Sequence, residues 1–353
     1  MRDAAEDPVR RIAPASGARR CARRVALVVA LAIALPAHAD TPPALLDAVP
    51  ADRPVDLAAL DWIAPRFSED PAERARWDAL LDWANATREA RTAAMRAAFR
   101  ERGVEATALP VACYADTRCG LVRSAEAAAA QFGSWPAFAA AAAAAAPYVL
   151  GIRRATEIVD SIHAVRPPTD PDAATARDLQ RRFINDQLLR NALDGLPGRP
   201  DVPPDDPVYV LYEFALGTDF SREDLRNVVH ASALIAERGW PAPQETGADT
   251  QQHLWALVQH GDLRPDLQYD ALQAMQRRFA APPYPQEYGY LHDRVMLKVA
   301  GTQRYGTQVT CDGDARVAQP LDGSGAIDTL RAEVGLGPLA DYLAKFPPCA
   351  LRP

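Results

Sequence analysis

The sequence lacks the short motifs that mark the commonest enzyme classes. It contains no G-x-S-x-G nucleophile elbow, no H-E-x-x-H zinc motif, no phosphate-binding P-loop and no dinucleotide fingerprint. It also contains no internal repeat. These absences argue against several familiar hydrolase, nucleotidase and dehydrogenase families. The candidate functional residues are therefore polar side chains scattered along the chain.

Cysteine is scarce, with five residues in a chain of 353. Cys21 lies in the N-terminal segment described below, which leaves Cys113, Cys119, Cys311 and Cys349. No C-x-x-C spacing is present, and this argues against a metal site built from four thiolates. An even number of cysteines in an oxidising compartment indicates two disulfides. We predict Cys113–Cys119 and Cys311–Cys349, because each pair then lies within its own half of the chain.

The N-terminus carries the features of a secretory signal peptide over residues 1–39. Four arginines between residues 19 and 24 precede the apolar run Val25–Leu35, and Ala37-His38-Ala39 follows as a small-residue cleavage site. The apolar run is far shorter than the ~20 residues that span a bilayer. We therefore expect cleavage after Ala39, a periplasmic or secreted protein, and no stable membrane anchor after cleavage. The alternative is a tail that stays anchored through this segment.

Positive charge is in deficit. The formal net charge is −7, and removing residues 1–39 makes it −11, because that segment holds seven arginines and only three acids. An acidic balance argues against nucleic acid or an anionic membrane surface as the main partner. We expect a small polar ligand or a peptide as partner, and the sequence indicates no cofactor.

Helical patterns dominate the mature chain. Residues 40–170 form an Ala-rich helical N-terminal region, with helices predicted at 136–146 and 153–165 on either side of Pro147. The apolar run Ala137–Ile152 could suggest a membrane span, but alanine is weakly apolar and proline interrupts it, which favours a bundle helix. The Pro-rich stretch Arg166–Pro171 is a candidate linker to a second helical region, residues 171–353.

The hydrophobic period changes only near the C-terminus. A β-hairpin is predicted at about residues 305–319, because two short alternating segments flank Asp312-Gly313-Asp314, and Asp-Gly is a strong turn signal. Before it, residues 208–214 are ambiguous between strand and helix, and a separate helix is predicted to start at Ser221. The expected fold is thus mainly α, a multi-helix bundle-like domain with a small C-terminal β-hairpin.

One helix carries a polar pair inside its apolar stripe. Asp186 and Arg190 lie on the same stripe as Leu179 and Phe183, and four-residue spacing lets the two charged side chains pair. Such a pair is costly to bury unless it is satisfied. Two interpretations stay open: a structural ion pair, or a pair that faces a ligand in a cleft.

Residues 179–346 contain four short motifs that together carry a family resemblance. They are Asp186-Gln187 with Arg190, the segment WALVQHGD at 255–262, the segment YLHDRV at 290–295 and the segment QRYGTQ at 303–308. Together they resemble a widespread bacterial family catalogued as a domain of unknown function, whose patterns are D-Q-x-x-R, W-L-x-x-Q-H-A-D, Y-L-T-D-R-V and Q-x-Y-G-T-Q. The chain departs from these patterns at Ala256, at Gly261, where Ala is usual, and at His292, where Thr is usual. The resemblance implies no activity.

Three hypotheses fit these residues. In the first, the protein is a hydrolase in which His260 is the general base or acid and Asp262 or Asp293 orients it. In the second, it is a non-catalytic binding module, since amides and guanidinium groups recognise polar ligands such as sugars or peptides. The candidate ligand-binding residues are Asp186, Gln187, Arg190, Gln268, Arg294, Gln303, Tyr305 and Gln308. In the third, the polar residues form a buried structural network between the hairpin and the helices.

The sequence also predicts how these residues are arranged in space. The catalytic and ligand-binding candidates are expected to surround one pocket between the helices and the base of the hairpin. A metal site made of His260, Asp262 and His292 is a further alternative, because three nitrogen or oxygen ligands suffice for catalytic zinc.

Overall fold

The computed structural model describes residues 43–50, 52–194, 198–241 and 243–349. The predicted signal peptide, residues 1–39, lies outside these ranges, so that assignment stays a prediction.

Within the described ranges the chain is mainly helical, with one two-stranded sheet, and the predicted fold class is confirmed. Two 3₁₀ helices come first, Ala44–Ala48 and Asp61–Phe67. The α-helices are α1 Pro71–Glu101, α2 Thr117–Ala129, α3 Trp135–Ala164, α4 Pro171–Asp194, α5 Pro207–Arg238, α6 Pro243–Thr246, α7 Ala248–Gln259, α8 Pro265–Phe279, α9 Gln286–Ala300, α10 Ile327–Glu333 and α11 Leu339–Leu343. The strands are β1 Val309–Asp312 and β2 Ala315–Ala318.

Several long helices start at residues that satisfy their free backbone donors. Asp70, Asp116, Ser134 and Asp206 each accept a hydrogen bond from a backbone N–H in the first turn. In three of the four helices a proline follows in the first turn, where its missing N–H costs nothing.

Two predicted breaks are wrong, because α3 and α5 are continuous. Pro147 lies inside α3. It deprives the carbonyl of Ala143 of its helical donor, but both residues lie on the exposed side of the helix, where water can take that donor's place. In α5 the ambiguous segment 208–214 and the predicted start at Ser221 belong to one 32-residue helix, whose core-facing side is buried along most of its length.

The helices enclose two hydrophobic cores. The first combines side chains between residues 45 and 152 with others between 189 and 216. The second combines residues 95–114 with Leu179 and with side chains between 231 and 334. Helices α1 and α5 contribute to both cores. Each core therefore draws on both sides of residue 170.

Helix α3 is the one helix of the described residues that is long and apolar enough to cross a membrane, and a third of its most apolar window is buried. It packs against α4 and α5. Phe138, Ala142, Ala145 and Val149 lie in the first core. This packing supports the interpretation of Ala137–Ile152 as a bundle helix.

The hairpin and both disulfides follow the predictions. Strands β1 and β2 are antiparallel, with Asp312 opposite Ala315 across the Asp-Gly turn. Disulfides join Cys113 to Cys119 and Cys311 to Cys349. The first strand begins at Val309, later than predicted, because residues 304–307 bind a helix carboxylate instead of a neighbouring strand.

Candidate functional site

Four side chains from three helices meet in one buried group, which we call the Asp/His group: Asp186, Arg190, Asp224 and His260. The carboxylate of Asp186 contacts His260 Nδ1 at 2.9 Å. Arg190 donates from Nε to Asp186 at 3.0 Å and from Nη2 to Asp224 at 2.7 Å. Asp186 is 1% exposed, whereas 19% of the His260 side chain is accessible. The group is thus a buried acid–cation network with one imidazole reaching the surface.

The local sequence places each member. Asp186 and Arg190 are one turn apart on α4, so one guanidinium reaches both the neighbouring carboxylate and α5. His260 directly follows α7 and is its C-cap residue, and Gln187 adds a hydrogen bond to Asp186 at 2.8 Å. The guanidinium of Arg190 also lies over the ring of Phe220, 4.2 Å from its centre, which fixes its plane.

The pKa values of the two carboxyl groups in the Asp/His group are shifted in opposite directions. For Asp186, burial raises the pKa, but the hydrogen bond and charge of His260 and the charge of Arg190 lower it overall. For Asp224, burial is the main cause of a raised pKa, and the nearby Asp186 adds to it against the opposing charge of Arg190. Asp186 is therefore the ionised partner, and Asp224 keeps its proton at a pH where an ordinary Asp has lost it.

The backbone of Gly261, just after α7, lies close against the side chain of Val228 on α5. A Cβ atom added to Gly261 would lie 2.4 Å from Val228 Cγ2 and 2.5 Å from its Cβ. Val228 is one turn after Asp224 on α5. The glycine that follows His260 thus sets the distance between the imidazole and Asp224.

A second polar group forms around Asp262. Arg294 donates to both of its oxygens, from Nε at 2.8 Å and Nη2 at 2.5 Å, and Lys298 also binds it. Gln268 donates to the carbonyls of Val258 and Gln259 and accepts from Lys298 Nζ at 3.0 Å. Burial opposes ionisation of Asp262, but the two cations outweigh it and its pKa is lowered. These side chains stabilise the end of α7 and its link to α9.

A third polar group holds the loop before the hairpin. The fully buried carboxylate of Asp293 accepts from the backbone N–H of Arg304 at 2.8 Å, of Tyr305 at 3.0 Å and of Thr307 at 2.9 Å, and from the Thr307 hydroxyl at 3.0 Å. Gln303, also fully buried, binds three backbone groups: it donates to the carbonyls of Gln308 and Gln319 and accepts from the N–H of Gln308.

The remaining aromatic and amide candidates belong to this third group. Tyr305 is buried, and burial is the main cause of its raised pKa. His292 contacts Asp293 at 3.3 Å and lies edge-on to the ring of Tyr305. Gln308 donates to the hydroxyl of Thr307 at 3.2 Å. These contacts fix the loop to α9.

The sequence-predicted residues therefore fall into three hydrogen-bonded groups. Asp186, Gln187, Arg190 and His260 come together as expected, while Asp262, Gln268 and Arg294 form the second group, and Asp293, Gln303, Tyr305 and Gln308 the third. Among the described residues, no side-chain hydrogen bond or ion pair joins one group to another. Whether any group binds or transforms a ligand stays a prediction.

Sequence reasoning missed Asp224 as a site residue and considered it only as a helix-start residue. The sequence nevertheless contains a signal that Asp224 faces inward. Asp224 precedes Val228, Ala231 and Ile235 at helical spacing, so it interrupts a buried apolar stripe just as Asp186 does. Lys298, one of only two lysines in the chain, was missed as well.

The Asp/His group is also the one cluster in the described part of the chain with metal-ligand spacing. The ligand atoms of Asp186, Asp224 and His260 all lie within 4.8 Å of one another. Arg190, however, already lies against both carboxylates and supplies a positive charge there. The alternative set His260, Asp262 and His292 does not gather in the structure, because Asp262 binds Arg294 and Lys298.

The fold and site define a mainly helical protein with a buried Asp–Arg–Asp–His network. Residues 212–347 match the model of a family of unknown function, DUF6624. The resemblance noted in the sequence is thus confirmed over this range, which includes Asp224, His260 and the second and third groups. Asp186 and Arg190 precede it. Searches of curated proteins and of solved structures found no match.

Proposed function

We propose that the Asp/His group is the catalytic site of a hydrolase that acts on a small polar substrate of the sugar or peptide class. The observation that carries this proposal is the buried carboxylate of Asp186 on His260 Nδ1 at 2.9 Å. That contact orients the ring, and no described residue hydrogen-bonds to Nε2. An imidazole held in this way is suited to act as a general base.

Asp224 supplies the complementary acid. Its raised pKa keeps a proton on a carboxyl group next to the base, which is the pairing that acid–base hydrolysis needs. A water oxygen attacks the electrophilic carbon of the substrate, and its proton passes to His260 Nε2. The bond to the leaving group breaks, and Asp224 gives that group its proton. The proton on His260 then returns to Asp224 through solvent, which restores both groups.

Arg190 has a positioning role in this scheme. Its hydrogen bonds to both carboxylates and its stacking on Phe220 keep the acid and the base at a fixed separation. Arg190 also balances the negative charge of Asp186 and favours the ionised form that Asp224 takes after it gives up its proton.

Turnover is the decisive measurement. The exported protein is assayed with chromogenic esters, aryl glycosides and aminoacyl anilides. With a substrate that is cleaved, His260→Ala and Asp224→Asn should each lower kcat/KM by ~10²–10⁴-fold, the usual contribution of a positioned acid or base. Because the acid must be protonated, the rate of the wild type should fall as pH rises through the raised pKa of Asp224.

His163→Ala is the matched control, since among the described residues that imidazole bonds to the backbone of its own helix at Val159 and to nothing else. It should leave the rate unchanged. His260→Ala should also keep a melting temperature near that of the wild type, because Asp186 retains Arg190 and Gln187. Full activity in His260→Ala, or no cleavage of any substrate class, would overturn the proposal. Binding of such a substrate without cleavage would favour the binding-module alternative.

Export of the protein is the second part of the proposal. Two disulfides are typical of an oxidising compartment, which agrees with the predicted signal peptide. N-terminal sequencing of protein recovered from the periplasm or medium should give Asp40 as the first residue. Recovery of an intact N-terminus at Met1 would contradict the predicted cleavage.

A further inference from the structure

A charged cavity lies between α3, α4 and α5, outside the three groups described above. Its volume is about 420 Å³, within the range of small-molecule sites. Five arginines and four acidic residues line it. We call it the arginine cavity. Its α4 residue Asn185 directly precedes Asp186, and its α5 residue Glu223 directly precedes Asp224. Since successive helical residues are about 100° apart, the cavity faces a different side of these helices from the Asp/His group.

Four buried polar atoms of the cavity wall have no hydrogen-bond partner among the described residues. They are Arg153 Nη2, Arg222 Nη1, Asn185 Oδ1 and Asp219 Oδ1. Buried polar groups in folded proteins are nearly always paired, so four orphans in one wall indicate that something else completes them. Two are donors on guanidinium groups and two are acceptors.

Asn185 is the clearest of these residues. It is 5% exposed, and its Nδ2 donates to Asp160 Oδ1 at 2.8 Å. Because a carboxylate can only accept, this contact fixes which end of the amide is nitrogen. The carbonyl oxygen is therefore the end of the amide that lacks a partner among the described residues.

The charges in the wall favour an anion. Arg222 has a lowered pKa, caused first by burial and then by the neighbouring Arg226. Asp219 and Glu223 have raised pKa values, chiefly through burial, although arginines nearby oppose the shift. The cationic groups are thus crowded together while two of the acids are pushed towards their neutral form. An added negative charge would stabilise the crowded guanidinium groups, and it would push Asp219 and Glu223 further towards the neutral form, in which they do not repel it.

We propose that the arginine cavity binds a small anion that also carries hydroxyl groups, of the sugar-acid or sugar-phosphate class. The unpaired guanidinium atoms of Arg153 and Arg222 fit a carboxylate or phosphate. The unpaired oxygens of Asn185 and Asp219 fit the hydroxyl donors of the same molecule. Inorganic phosphate has no hydroxyl apart from its charged group, and neutral sugars lack the charge, so the wall favours molecules that carry both features separately.

Calorimetric titration of the whole exported protein tests this assignment. The probes are glucose 6-phosphate, gluconate, glucose and inorganic phosphate. At least one of the first two should bind, and glucose and inorganic phosphate should each bind at least tenfold more weakly than that probe. Tighter binding by glucose 6-phosphate would assign the phosphate class, and tighter binding by gluconate the carboxylate class.

Arg222→Gln and Asn185→Leu should each weaken binding of the preferred probe at least tenfold. Arg76→Gln is the control, because Arg76 is exposed and pairs with Glu73 on α1, away from the cavity. Circular dichroism verifies that each variant folds. Arg222→Lys keeps the charge but loses the planar donors, and it replaces any variant that does not fold. His260→Ala should bind the probe like the wild type, which separates this site from the proposed hydrolase. Equal binding of all anions, undiminished binding in folded cavity variants, or no binding of either hydroxylated anion would overturn the assignment.

Discussion

Replacing Asp293 by alanine is expected to lower the free energy of unfolding by ~3–5 kcal/mol, the range seen when a buried charged network loses one partner. The carboxylate binds three backbone N–H groups and the hydroxyl of Thr307 from inside the core. Without it, four donors in a buried loop are left unpaired. Urea denaturation of the wild type and the variant measures the change.

Asp293→Asn tests the same interaction with nearly the same shape. Its amide keeps one acceptor but directs N–H groups at backbone donors, so we expect a loss close to that of Asp293→Ala. Asp341→Ala is the control, because Asp341 is exposed on α11, and its effect should stay within ~0.5 kcal/mol. A loss below ~1 kcal/mol in both Asp293 variants would show that the loop does not depend on this carboxylate.

Gly261→Ala is expected to destabilise the protein by ~1–3 kcal/mol and to disturb the Asp/His group. The added methyl would lie 2.4 Å from a carbon of Val228, closer than real side chains pack, so α5 and α7 must separate. Asp224 would move with α5, and the geometry around His260 would change. Glycine at position 261 of this chain thus has a steric reason.

A double-mutant cycle isolates that contact. Val228→Ala alone should destabilise by removing buried methyl groups, but it makes room for the new methyl of Gly261→Ala. The double variant should therefore be more stable than the sum of the single effects predicts, by ~1 kcal/mol or more. Gly120→Ala is the matched control: it lies in α2, nothing lies within 4 Å of the added carbon, and it should be neutral or slightly stabilising. Strict additivity in the cycle would contradict the steric explanation.

The sequence by itself determined the fold class, the hairpin and both disulfides. Helical periodicity and the Asp-Gly turn are local signals, and the number and placement of the cysteines favour one of the three possible pairings. The same holds for the pairing of Asp186 with Arg190, because four-residue spacing on a helix brings them together in any fold. The family resemblance, too, was readable from short motifs.

Only the tertiary structure decided how the polar residues are divided. Asp293 lies one residue before Arg294, yet the first binds the loop at residues 304–307 and the second binds Asp262. Adjacent helical residues point about 100° apart, so which neighbour each meets depends on the packing of α9 and not on its own sequence. The residues that were expected around one pocket accordingly lie in three separate groups.

The same dependence on packing explains the continuity of α3 and α5 and the place of Asp224. Pro147 and Ser221 carry local signals for a helix break or start, but burial of the core-facing sides of these helices outweighs signals worth ~1–3 kcal/mol. Asp224 meets Arg190 because α5 packs against α4, and it lies near His260 because Gly261 lets α5 approach the end of α7. Local sequence determines which elements form, whereas the site is made by the distances between those elements, which only side-chain packing sets.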